Sequence, residues 1–267
     1  MKKPGRIGRI RSRSLGPKRP RVVFQDRDIL VIDKPSGLLS VPIAGSLAPN
    51  AQEMLAEEMG KEGRSVLPVH RIDRYTSGLM VFALSKTARK ELVRQFLSHT
   101  PLRLYLAVVR GAPPSEEGEL RHFLKKVSWG FRQVVVKNEK QGGTLAITRF
   151  RVLEFLEGAA LVEARLVTGL KNQIRVQFAQ AGMPIWGDRH YVLEEKGAAI
   201  MDRQALHAFR LGFQHPRTGA HLEFQADPPE DFQRLLRFLR SHHSRKVENE
   251  GCLNDIFKKT GPYSKIP

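Results

Sequence analysis

Apolar residues in this chain come in short runs, and glycine, proline or a polar cluster interrupts almost every run before it could extend into a long helix. Residues 22–24 and 29–32 flank the polar turn 25–28. Residues 38–41 resume as an edge strand after the break at Lys34-Pro35-Ser36-Gly37. The run 79–84 lies between Gly78 and Ser85, a length that suits a buried strand. Residues 103–109 alternate, with Leu104, Leu106 and Val108 on one side and Tyr105, Ala107 and Val109 on the other. Strands are also expected at 145–155, 161–167, 206–213 and 221–226, and the basic stretch 121–140, broken by Gly130, reads as a hairpin at a rim. Helical spacing is confined to 50–59, 86–98, 172–179 and a segment after Pro228-Pro229 that turns Phe232, Leu235, Leu236 and Leu239 inward. Many strands with few helices between them predict an α+β fold and exclude a repeating βαβ architecture.

At 267 residues the chain can bury a sizeable core, as one large domain or two small ones. No stretch has the length and apolarity of a membrane span, and the basic opening lacks the apolar run of a signal peptide. The single Cys252 leaves no internal disulfide and no cysteine-built metal site, so a reducing, cytoplasmic setting is expected. The net charge of +18 is uneven. Residues 1–21 carry nine Lys and Arg and no acid, half of that total, together with three glycines and three prolines. Such a segment repels itself and has little to bury, which predicts a flexible basic arm suited to neutralising phosphates. The expected organisation is this arm at 1–21, a catalytic domain at 22–240 and a polar tail at 241–267.

The segment His70-Arg71-Ile72-Asp73-Arg74-Tyr75-Thr76-Ser77-Gly78-Leu79 resembles the signature of the RluA family of pseudouridine synthases, departing only at Ile72, where the family has leucine. Flanking regions agree in order: 29–38 with the opening strand and turn, 103–109 with the strand presenting a tyrosine, Gln173-Ile174-Arg175-Val176 and 182–188 with the third catalytic region, and 203–208 with 215–219 at the close. The likeness spans residues 22 to 240.

The resemblance implies a mixed, largely antiparallel sheet in two halves, with flanking helices and a central RNA-binding cleft. It implies a structured RNA substrate, ribosomal or transfer RNA, no membrane, no cofactor and no metal; the chain is expected to act as a monomer. It assigns Asp73 as the catalytic carboxylate, Tyr105 as the ring against the target base and Arg175 as the guanidinium paired with Asp73. The implied reaction breaks the bond from ribose C1′ to uracil N1, turns the base, and joins C1′ to C5. Asp73 attacks the sugar or takes a proton at C2′. A bidentate arginine is expected to hold that carboxylate ionised and aimed. His70, Arg71, Arg74, Thr76 and Ser77 are expected to brace the loop or contact RNA. His70 and Asp73 lack a third ligand at metal-site spacing. The family's usual Thr-Gly-Arg-x-His-Gln-Ile-Arg reads here Thr168-Gly169-Leu170-Lys171-Asn172-Gln173-Ile174-Arg175. Lys171 stands one residue from the replaced arginine, and Asn172 keeps a hydrogen-bond donor. Should these changes disable the site, the alternative is a non-catalytic RNA-binding or ribosome-assembly protein on the same scaffold. A small-molecule glycosidase expects paired carboxylates in one pocket, and only one acid is so placed.

Overall fold

The computed structural model describes residues 18–61, 63–127, 132–191 and 200–243. In chain order these form β1 (Arg21–Gln25), β2 (Ile29–Lys34), α1 (Ala51–Gly60), β3 (Leu67–Pro68), β4 (Ser77–Ala83), α2 (Lys86–Leu97), β5 (Leu102–Arg110), β6 (Glu117–Lys126), β7 (Gln133–Val136), β8 (Thr144–Leu156), β9 (Ala159–Leu166), α3 (Gln173–Gln180), β10 (Leu206–Gln214), β11 (His221–Gln225) and α4 (Glu230–His243). Most of the basic arm lies outside the described residues. Strand β1 begins at Arg21, the last residue assigned to the arm, and α4 runs on to His243, into the span assigned to the tail.

All eleven strands belong to one mixed sheet, ordered β1-β2-β4-β10-β5-β9-β8-β6-β7, with β3 added on β4 and β11 on β10. Every pairing is antiparallel except the short parallel join of β4 to β10, where Ser77 faces His207 and Gly78 faces Ala208. That join ties two antiparallel halves together, as an α+β sheet in two halves requires. The rim hairpin is present as β6 and β7, at the end of the sheet. The edge strand expected at 38–41 is not: Leu39 makes only an isolated bridge to Asn50. The segment instead turns its polar groups onto a neighbouring loop, Ser40 Oγ bonding both backbone groups of Ile72.

The continuous apolar runs of β2 and β4 are explained by burial on both faces. Leu30, Ile32, Met80 and Phe82 share a core with Leu55 and Met59 of α1 and with Phe232, Leu235 and Leu239 of α4. Ile29, Val31, Leu79 and Val81 point the other way, against Ala88, Leu92 and Phe96 of α2. Each such aliphatic side chain contributes about 1.5–3 kcal/mol on burial. Helices α1 and α2 are capped by side chains: Asn50 and Ser85 accept from the amides of Glu53 and Ala88. The parallel join needs a glycine. Gly78 sits at φ +110, and a Cβ there would lie 2.3 Å from the Ala208 carbonyl oxygen.

Candidate active site

The loop carrying Asp73 leaves β3 and enters β4 at Ser77, and two other segments fasten it. Its own turn closes through the Thr76 amide on the Asp73 carbonyl at 3.1 Å. The buried Lys34 ammonium donates to the carbonyls of Pro35, Leu38 and Arg74 at 2.9, 2.8 and 3.1 Å, joining the end of β2 to the loop. The Gly37 amide also donates to Arg74, and Ser36 donates to the Tyr75 carbonyl. From the opposite side, Arg203 donates to the Tyr75 carbonyl while its other edge grips Asp231 at 2.6 and 2.8 Å. Burial, with the nearby Arg203 charge, pushes the Lys34 pKa down to about 7.

Thr76 and Ser77 are buried inside this fastening. Ser77 Oγ bonds His207 Nδ1 at 2.9 Å, and His207 Nε2 donates to the Ala226 carbonyl at 2.8 Å. Gln204 reaches Thr76 Oγ1 at 3.4 Å. These contacts give both residues a bracing place. His70 braces too: its Nε2 accepts the Val81 amide at 3.1 Å, and its ring stacks on Phe96 at 4.4 Å. Burial, then the Arg103 charge, lowers its pKa to about 3, so the imidazole is neutral. Arg74 is exposed and donates to the Gly37 carbonyl, while Arg71 is exposed and lines the cavity that Asp73 also lines.

Asp73 faces a cavity of about 450 Å³, within the range of small-ligand pockets. Tyr105 from β5, Arg175 from α3, and His70, Arg71, Thr76, Lys171 and Asn172 line the same space. The three residues singled out from the sequence, separated by up to 102 positions, thus converge. Burial, against the opposing charge of Arg103, pushes the Tyr105 phenol up to about 12, which keeps it neutral. Lys171 is half-buried, and burial together with Arg71 lowers its pKa.

The arginine pairing differs from expectation. Arg175 Nη1 donates a single bond to Asp73 at 3.0 Å, whereas Nε and Nη2 form the bidentate pair with Asp188 at 2.6 and 2.9 Å. One side of the guanidinium is therefore fixed by a fully buried aspartate, which leaves the remaining donor to hold Asp73. Burial works against the Arg175 charge, but the Asp188 and Asp73 carboxylates outweigh it and raise its pKa. Asp188 occurs in the matched stretch 182–188, beside Gly187. A Cβ on Gly187 would lie 2.2 Å from the Arg203 carbonyl oxygen, so this turn must carry glycine to bring the aspartate in.

Asn172 completes the cluster. It stands before α3 at φ +53, a conformation that asparagine tolerates better than most residues. The hydrogen-bond pattern fixes its amide with nitrogen toward Asp73, donating to both carboxylate oxygens at 2.9 and 3.0 Å and accepting from the Tyr191 hydroxyl at 3.2 Å. The residue that departs from the family pattern thus supports the aspartate directly. Leu170 lines the cavity and packs its apolar side against Leu124, Ala146 and Val176. Gln173 ties the intervening turn to Thr168, the Leu170 amide and Thr148. Sequence reasoning assigned no role to Lys34, Asp188, Arg203 or His207, although each falls within or beside a matched stretch.

Residues 28–180 match the RNA pseudouridylate synthase family. The chain is 35% identical over 227 residues to the uncharacterized RNA pseudouridine synthase YlyB of Bacillus subtilis, covering 83% of this chain and 73% of that one. It is 35% identical over 230 residues to ribosomal large subunit pseudouridine synthase D of Zymomonas mobilis, covering 82% and 72%. It is 37% identical over 212 residues to the dual-specificity RNA pseudouridine synthase RluA of Escherichia coli, covering 79% and 93%. In fold it is similar to human RNA pseudouridylate synthase domain containing 4, with a TM-score of 0.69 at 23% identity, over 82% of this chain and 93% of that one. Match, fold and the convergence of the motif residues agree, and the chain belongs to the RluA family of pseudouridine synthases.

Proposed function

We propose that this protein isomerises selected uridines in structured RNA, with ribosomal RNA favoured and transfer RNA a second candidate, and that Asp73 carries the reaction. The observation that supports this most is a carboxylate opening on a nucleoside-sized cavity while Arg175 and the Asn172 amide hold it from behind. These bonds aim the carboxylate oxygens into the cavity, and the carboxylate is the form able to attack C1′ or take the C2′ proton. A uridine inside a stem hides its glycosidic bond, so it must be flipped out at a cost of about a few kcal/mol. Stacking on the Tyr105 ring offsets about 1–3 kcal/mol of this, and backbone contacts to the basic surface supply more. The preference for ribosomal RNA rests on similarity to a protein named for the ribosomal large subunit. The dual-specificity name of another relative keeps transfer RNA in view. A cytoplasmic, monomeric enzyme acting without a cofactor is part of the same proposal.

The test is tritium release from 5-tritiated uridine in ribosomal and transfer RNA, followed by single-turnover pseudouridine formation with Asp73→Asn. The variant should fold, bind RNA at near-parental strength and form no detectable product. A rate within tenfold of the parent, about 1.4 kcal/mol in barrier, would overturn the assignment. Tight RNA binding by the parent without tritium release would favour the non-catalytic reading.

A further inference from the structure

Three arginines are more than nine-tenths buried among the described residues: Arg103, Arg175 and Arg203. Arg175 meets Asp188 and Asp73, and Arg203 meets Asp231. Arg103 meets no carboxylate among the described residues. It lies on β5 two residues before Tyr105, so both side chains leave the same face of the strand, and both line the cavity that Asp73 faces.

The surroundings of Arg103 are shaped to hold a guanidinium and do not neutralise it. Its plane lies over the Phe96 ring, 5.7 Å from the centroid. Nη2 reaches the Val167 and Thr168 carbonyls only at 3.4 Å each, and the buried Nε has no acceptor. Gly169 leaves the space the head group fills, since a Cβ there would lie 2.4 Å from Nη1. An arginine cannot shed its proton to escape this burial. Its charge therefore stands in the wall of the site with no carboxylate among the described residues to neutralise it, which suits a ligand that becomes negative there.

Resting on the proposed reaction, one species has that property. When the bond from C1′ to N1 breaks, the electron pair goes to N1 and the uracil becomes an anion, its charge shared among N1, O2 and O4. This holds whether Asp73 attacks C1′ or removes the C2′ proton. We propose that Arg103 holds the detached uracil anion while it turns. C5 then attacks C1′ with a ring electron pair. On the covalent route the Asp73 carboxylate leaves; on the other, C2′ regains its proton. C5 gives up its proton, N1 takes one, and neutral pseudouridine results. A fixed cation in a water-poor site stabilises such developing charge strongly. Of the other cations at the cavity, Arg175 is already paired with Asp188 and Asp73, while Arg71 is exposed and Lys171 half-buried, so solvent screens them more.

The test compares the parent, Arg103→Met and Arg103→Lys on transcribed ribosomal and transfer RNAs in which the parent forms pseudouridine. The same RNAs are also made with 5-fluorouridine, whose electron-withdrawing fluorine makes the detached anion stabler without help. Single-turnover loss of the original nucleoside is read by mass spectrometry of nuclease digests, beside binding isotherms across a salt series. Arg103→Met should react about 100-fold more slowly on uridine RNA with affinity within about threefold, and Arg103→Lys should recover part of the rate. The deficit should shrink at least tenfold on 5-fluorouridine RNA. An equal deficit on both RNAs overturns the proposal. So does weakened, less salt-dependent binding with chemistry intact, which marks a phosphate contact. Loss of the folded state in both variants also overturns it, leaving a structural cation. A parent that forms no pseudouridine in any RNA would sink the proposed function itself, a result separate from all of these.

Discussion

Two clusters in this molecule are built from the same parts, aspartates, an arginine and a planar side chain that reaches a carboxylate, and the first of them lines the cavity that Tyr105 and Arg103 share. In the first, Arg175 grips Asp188 with one edge and Asp73 with its remaining donor, and the Asn172 amide donates to Asp73. In the second, Arg217 grips Asp28 at 2.6 Å and His215 Nε2 bonds Asp26 at 2.9 Å. There His215 Nδ1 already accepts the amides of Arg217 and Thr218, so Nε2 carries the proton. Asp26 also accepts the amides of Asp28 and Ile29. The bonding capacity of the second cluster is thus spent on fastening the turn before β2 to the loop between β10 and β11. The three groups Asp26, Asp28 and His215 lie close enough to hold a metal ion, but the imidazole proton and the Arg217 contact already occupy them. In the first cluster the arginine is committed to a second, deeply buried aspartate, which frees Asp73 to face outward: its side chain is 19% exposed, against 1% for Asp188. An acid and a base in contact become a site when a partner behind them absorbs the structural role.

Asp188 is the residue on which the difference between the two clusters rests. Asp188→Asn removes the charge that orients Arg175 and should cost about 3 kcal/mol in stability, because it leaves a buried guanidinium short of a counter-ion. Turnover should fall about 100-fold, roughly 2.7 kcal/mol in barrier, with RNA affinity little changed. Chemical denaturation and single-turnover kinetics on the same samples check both; parental kinetics would mean that Asp73 needs no backing. Asp28→Asn is the matching change in the closed cluster. Arg217 is largely exposed there, so the loss should be about 1 kcal/mol or less, with turnover unaltered. A fall in turnover beyond threefold would show that the two clusters are coupled.

The sequence made the first cluster partly legible and the second not at all. Asp73, Tyr105 and Arg175 stand in stretches whose order and composition are specific, and the cavity brings all three together. The strand pattern also located most of the sheet, because its core strands are continuous apolar runs bounded by turns. What stayed hidden depends on contacts between distant segments. Asp188 lies 13 residues past Arg175 beyond a glycine turn, and nothing local marks it as the main partner. The buried bond from Ser77 to His207 joins positions 130 apart, and the parallel join beside it requires Gly78 for an approach that only the folded backbone defines. The segment 38–41 misled because Leu38 joins the core and Leu39 is buried without the segment pairing as a strand. Arg103 read as the polar start of a strand, since burial of a charge leaves no periodic signal.

The smallest expected effect tests how far the open cluster tolerates the chemistry of the closed one. Asn172 is to Asp73 what His215 is to Asp26, a planar donor against a carboxylate, but a carboxamide does not titrate. Asn172→His introduces a group that does, at a φ of +53 that histidine also adopts more readily than most residues. A neutral imidazole can replace one of the two bonds that the amide makes to Asp73, and Arg175 keeps its own. The rate at neutral pH should therefore stay within about threefold, well under 1.4 kcal/mol in barrier. The difference should appear in its pH dependence. Below the pKa of the new histidine, an imidazolium beside Asp73 stabilises the carboxylate's charge and weakens it as nucleophile or base. The single-turnover rate of Asn172→His should consequently drop as pH falls through that pKa, with an inflection absent from the parent and an alkaline limb that coincides with it. Measuring both proteins from pH 5.5 to 9 on the same RNA, with binding held saturating, isolates the chemical step. A histidine variant that tracks the parent across this range would show that residue 172 does not touch the reacting carboxylate, and that Arg175 alone holds Asp73 in place.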